Sequence, residues 1–91
     1  MSKRFQPSAV QLQLLRALAA DHRIHLFRDK HGRHAWLIGG PEAFVCLPMQ
    51  TFTAVKCASW IERTAAADGF EVWHVSAGGR AVVADAEREA A

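Results

Sequence analysis

The feature that most constrains this chain is a change of hydrophobic period at Arg23. Upstream, Val10, Leu14, Leu15, Ala17 and Leu18 recur at the 3.6-residue spacing of a helix. Ser8 and Gln11 precede that run at capping-box spacing, so the helix is expected over about residues 9–20. From Arg23 to Arg28 the period becomes two. Ile24 and Leu26 point one way, and Arg23, His25 and Phe27 the other. Asp29 to Arg33 reads as a turn in which Gly32 is free to take positive φ, and Ala35 to Ile38 resumes as a strand. Gly39-Gly40-Pro41 interrupts it, and the short apolar run Ala43 to Leu47 is expected to pair back as a third strand. A chain that passes from one period to the other is neither a helical bundle nor a sandwich. It belongs to the α+β class.

The cycle then repeats. Pro48 suits a first helical turn, and Met49, Phe52, Val55 and Ala58 share a face, which predicts a second helix over residues 49–59. Trp60 to Arg63 reads as a strand leaving it, and 65–69 as a loop ending in Asp68-Gly69. Phe70 to Val75 alternates strictly, with Phe70, Val72 and His74 on one face. Ser76 can cap a last helix over 77–90, with Val82, Val83 and Ala86 inward. The expected order is α-β-β-(β)-α-β-β-α in one domain spanning 1–91, with 1–7 and 85–91 flexible. The expected core is Val10, Leu14, Leu15, Leu18, Ile24, Leu26, Leu37, Val45, Leu47, Phe52, Val55, Trp60, Ile61, Val72 and Val83. A helix followed by a two-stranded ribbon is the signature of a winged helix within the helix-turn-helix group.

Composition removes several classes. With 51% hydrophobic and 22% charged residues the chain is too apolar for disorder. No apolar run reaches the roughly 18–20 residues of a membrane-spanning helix. Lys3 and Arg4 are followed by Gln6, Pro7 and Ser8 and not by an apolar segment, so no signal peptide is read. Two cysteines, Cys46 and Cys57, are too few for a disulfide framework. They are expected to be reduced and buried, in a cytoplasmic protein. There is no glycine-rich phosphate loop and no CxxC, and no cofactor is expected.

The stretch from Leu12 to about Val83 resembles the small YjhX-like winged-helix family of bacteria, the toxin members of toxin–antitoxin pairs. The resemblance runs through Leu15-Arg16-Ala17-Leu18-Ala19, Arg23-Ile24, the turn Arg28-Asp29 with Gly32-Arg33, and the apolar strand 43–47. It continues through Thr51-Phe52 and Trp60-Ile61, and Trp73-His74-Val75-Ser76 with Gly79-Arg80 looks like a wing-to-helix exit. It implies a small winged-helix regulator of bacterial or phage type. The chain departs from the family in a second helix poor in lysine.

Charge divides along the chain. Residues 1–34 hold seven Lys/Arg against two Asp, a net of +5; residues 35–91 hold four against seven acids, a net of −3. If phosphates are bound, the basic cluster Lys3, Arg4, Arg16, Arg23, Arg28, Lys30 and Arg33 is better placed by charge than the second helix, with all of these but Arg16 taken as site residues. The bland alternative is a solvated hairpin whose charges guard its edge. On the second helix, Gln50, Thr51, Thr53 and Lys56 are the candidate base and phosphate contacts, set against an ordinary solvated face.

His22, His25, His31 and His34 fall within thirteen residues. They read as exposed strand and turn histidines sooner than as a metal site or a paired-histidine nuclease, because no nucleophile–base–orienter set is visible. The hairpin carrying Glu62, Asp68 and Glu71 is a poor ligand for phosphate. With Trp73 beside them, Glu62 and Glu71 make a candidate protein contact. The expected function is therefore a non-enzymatic nucleic-acid-binding regulator acting on duplex DNA. The alternative is an interaction module that occupies a partner protein. Self-association through a hairpin edge is left open.

Overall fold

A computed structural model describes residues 7–40 and 43–90. The elements are α1 (Ala9–Ala19), β1 (Arg23–Asp29), β2 (Gly32–Gly40), β3 (Ala43–Leu47), α2 (Met49–Cys57), β4 (Ile61–Ala67), β5 (Phe70–Val75) and α3 (Ala77–Ala90). They form one α+β domain: three helices and a five-stranded antiparallel sheet in the order β3-β2-β1-β5-β4.

The order differs from the expected one. The third strand is a full member of the sheet, so a three-stranded meander separates α1 from α2. Every pair of consecutive helices is interrupted by strands, and none is joined by a turn. The loop expected over 65–69 is mostly strand as well. Only Asp68 and Gly69 lie outside the ladder, because Ala65, Ala66 and Ala67 pair with Val72, Glu71 and Phe70. Gly69 makes that tight connection at φ 75°, a conformation that costs a residue with a Cβ. The last helix, α3, has the extent read from the sequence, and an ion pair from Glu87 to Arg16 ties its second half to α1.

Local signals explain the helix starts. The Ser8 hydroxyl accepts from the Gln11 amide at 3.2 Å while the Gln11 side chain accepts from the Ser8 amide at 3.1 Å. Ser76 does double duty at α3. Its hydroxyl accepts from the Gly79 amide at 3.2 Å and donates to the Ser59 carbonyl at 2.7 Å. Gly79 is buried against the Trp60 carbonyl, and any Cβ there would collide with it.

The β1–β5 ladder joins the meander to the second hairpin, pairing Ile24 with Trp73 and Leu26 with Glu71. It thereby decides which face is covered. Leu14, Leu15 and Leu18 of α1 and Phe52 and Val55 of α2 bury against Ile24, Leu26, Ala35, Leu47, Trp60, Ile61 and Val75. Leu37, Trp73 and Val83 pack at its border. Phe52 is fully buried and meets Trp73 edge-on, ring centroids 5.4 Å apart.

Three of the expected core residues are elsewhere. Val10 is 60% exposed on the outer side of α1, and Val45 is 57% exposed on the edge strand β3, where none of the described residues buries it. Val72 shares the opposite face of the sheet with Phe70, because the β1–β5 register gives the helix side to Trp73 and Val75. Both cysteines, expected to be buried, are exposed. Cys46 sits on the sheet edge facing away from the helices, and Cys57 ends α2.

Candidate nucleic-acid interface

The two hairpin ends meet at one end of the sheet. The β1–β2 ladder runs to Asp29 opposite Gly32, which leaves only Lys30 and His31 unpaired. The Arg28 amide then donates to the Gly69 carbonyl of the second turn at 2.9 Å. This register sets Arg28 directly opposite Arg33, with Lys30 at the tip between them. All three are exposed.

Like charges directly opposite on a ladder destabilise it. Here no compensating ion pair forms with Arg28, Lys30 or Arg33 among the described residues. Arg16, Arg63 and Arg88, by contrast, pair with Glu87, Glu71 and Asp85. The nearby Asp29 carboxylate is exposed and engaged within its own hairpin. It accepts from the His31 amide at 2.7 Å and sits 3.2 Å from His34 Nε2. The His31 hydrogen bond is the main reason its pKa lies below the ordinary carboxylate value, and the His34 contact adds to it. Beside the tip, an open groove of about 250 Å³ is lined by Arg28, Arg33, Asp68 and Glu71 among others. Both acids line the groove with these cations, and Glu71 also accepts from the Trp73 indole and lies by Arg63.

The other candidates are more dispersed. Arg23 belongs to the far end of β1, where its Nε donates to His25 Nε2 at 2.9 Å. Lys3 and Arg4 lie outside the described residues. On α2, Gln50, Thr53 and Lys56 are exposed and Thr51 is half-buried. The Lys56 ammonium sits 6.0 Å from the Trp73 ring centroid, within cation–π range, so the one cation of this helix already has a partner.

The acidic contact does not assemble. Glu71 and Trp73 are joined on the helix side of the sheet by an indole N–H donated to the Glu71 carboxylate at 2.9 Å, and Arg63 lies 3.5 Å from the same carboxylate. Glu62 pairs in register with His74 and faces the other side. The histidines do not form one cluster either, and among the described residues no three His, Cys, Asp or Glu side chains converge as metal ligands. His25 is separate from the turn. Its pKa is lowered, first by burial and then by Arg23 and His74.

A second surface lies on the uncovered face. His25, Phe27, Trp36, Ile38, Phe44 and Phe70 line an open, almost wholly apolar groove of about 460 Å³. Ile38 is 6% exposed yet lies outside the main core. Sequence reasoning missed this face, although the parity of Phe27 with His25 in β1 was the signal for it.

No family model matches the chain, and no curated protein or solved structure matches it significantly.

Proposed function

We propose that the protein is a small non-enzymatic nucleic-acid-binding regulator of the winged-helix type, acting on duplex DNA. One observation carries this reading. Arg28 and Arg33 are held opposite one another, with Lys30 beside them, and none is neutralised by an ion pair among the described residues. A ladder that bears this repulsion gains when phosphates fill the space around it. In this reading α2 takes the recognition-helix role through Gln50 and Thr53, and β4–β5 is the wing that follows it. The resemblance to the YjhX-like family supplies the bacterial or phage setting.

The test is fluorescence anisotropy of labelled duplex DNA across a salt series. Affinity must fall as salt rises, because bound cations release counterions from the duplex. Absence of binding at low salt, or binding indifferent to salt, overturns the proposal. The second reading, a module that occupies a partner protein, is favoured by the lone lysine of α2 and its engagement with Trp73. It requires duplex affinity to be absent while α2 substitutions disrupt a protein complex.

A further inference from the structure

The ladder registers lay out the uncovered face in rows. Phe44, Ile38 and Arg23 line up across β3, β2 and β1, at the same end as the β5–β4 pair His74 and Glu62. The next row is Cys46, Trp36, His25, Val72 and Ala65. After it come His34, Phe27, Phe70 and Ala67, and Asp29 closes the far end. The two middle rows contain no Lys, Arg, Asp or Glu. Arg23 and Glu62 stand at one end and Asp29 at the other. An uncharged, aromatic centre with a charged rim is the anatomy of a protein interface.

The face also has a shape. Its β2–β3 half is bulky, with Trp36 and Phe44; its β4 half is thin, with Ala65 and Ala67. A two-fold axis parallel to the strands reverses the strand order of the opposing sheet. The bulky half of one copy then lies on the thin half of the other, Trp36 towards Val72 and Cys46 towards Ala65. A foreign strand or a polyanion makes no use of this match, and the face has no excess positive charge to hold a polyanion.

The extent is adequate. Five strands at about 4.8 Å spacing and about six residues of 3.4 Å rise give a projected footprint of about 480 Å² per copy. Two copies bury about 1,000 Å² before side-chain relief is counted, which reaches the threshold for a specific interface.

We propose that the uncovered face of the sheet is closed by the same face of a second copy, giving a two-fold symmetric dimer that packs sheet on sheet. This inference rests on the fold and not on the nucleic-acid reading. Neutralising the hairpin tip with Arg28→Ala and Arg33→Ala leaves the dimer intact whether or not DNA binds.

The experiment is sedimentation velocity of the full chain up to about 100 µM. The expected mass is twice the 10.0 kDa of one chain. Ala65→Arg fills the thin half at an exposed position and Phe44→Glu charges a residue that is 59% exposed, so both variants retain native far-UV circular dichroism. Each raises the dimer dissociation constant by about 30-fold or more. Val10→Glu, on the outer side of α1, leaves it unchanged. A single-chain mass across the whole range overturns the proposal. So does a dimer that tolerates Ala65→Arg, or a monomer whose face instead takes a single-stranded oligonucleotide or a foreign protein.

Discussion

Replacing Arg28 and Arg33 together with alanine separates a functional charge pair from a structural one, because the two roles predict opposite changes. Each phosphate neutralised contributes about −0.9 to the slope of log affinity against log salt. With Arg28, Lys30 and Arg33 all engaged, the hairpin tip contributes about −2.7, and the double variant retains about −0.9 of that. Between about 50 and 200 mM salt this part of the affinity falls about 40-fold in the parent chain and about 3.5-fold in the variant. Contacts from elsewhere add equally to both, so the difference of about 1.8 in slope is the diagnostic quantity. Stability must move the other way. Removing two like charges from opposed ladder positions relieves about 0.2–1 kcal/mol. For a domain of this size that raises Tm by about 1–6 °C. The assays are anisotropy titrations at four salt concentrations and thermal unfolding followed by circular dichroism. An unchanged slope, or a loss of stability in place of a gain, refutes the reasoning.

Three further outcomes follow from the packing. Phe52→Ala empties the space between α2 and the sheet and costs about 3–5 kcal/mol, read from urea unfolding; a loss under about 1 kcal/mol means the ring is not the keystone described. Gly79→Ala forces a Cβ against the Trp60 carbonyl, so Tm falls by several degrees even though alanine is the better helix former; a rise in Tm contradicts the close approach. His25 resists protonation in the fold, so the unfolded chain binds the proton more readily. Its contribution is complete above about pH 6.5 and declines as pH falls from there towards the lower folded pKa. The urea midpoint is therefore lower at about pH 5.5 than at about pH 7.5, and His25→Gln narrows that gap; equal midpoints in the parent chain speak against the burial of this imidazole.

Which parts of this fold were legible in the sequence follows from the range of the interactions that decide them. The helix ends were readable because Ser8 with Gln11 and Ser76 with Gly79 act over three residues. That β1 and β2 form a hairpin was readable from alternation on either side of a turn, but the register was not: the turn read over Asp29 to Arg33 holds only Lys30 and His31, and Asp29, Gly32 and Arg33 belong to the ladder. What alternation does not contain is which face of a strand the helices cover. In β5 both sets, Phe70 with Val72 and Trp73 with Val75, are apolar. The choice is made by pairing with Ile24, nearly fifty positions away along the chain. Val45 and Cys46 were misplaced for a different reason: β3 is the edge strand, so even Val45, in register with Leu37 on the helix side, stays exposed.

The candidate site shows the same division. That the first hairpin is basic is a matter of composition. That Arg28 stands opposite Arg33 is a matter of register, and it turns on the turn holding only Lys30 and His31. A turn one residue longer would shift the pairing and point one guanidinium to the other face. The proposed phosphate contact therefore depends on turn length as much as on charge. Inserting a glycine after Lys30 preserves every cation and the net charge, yet must abolish the slope contribution of the opposed pair. If the insertion variant keeps the parent salt dependence, charge alone is responsible and the opposed geometry is irrelevant to binding.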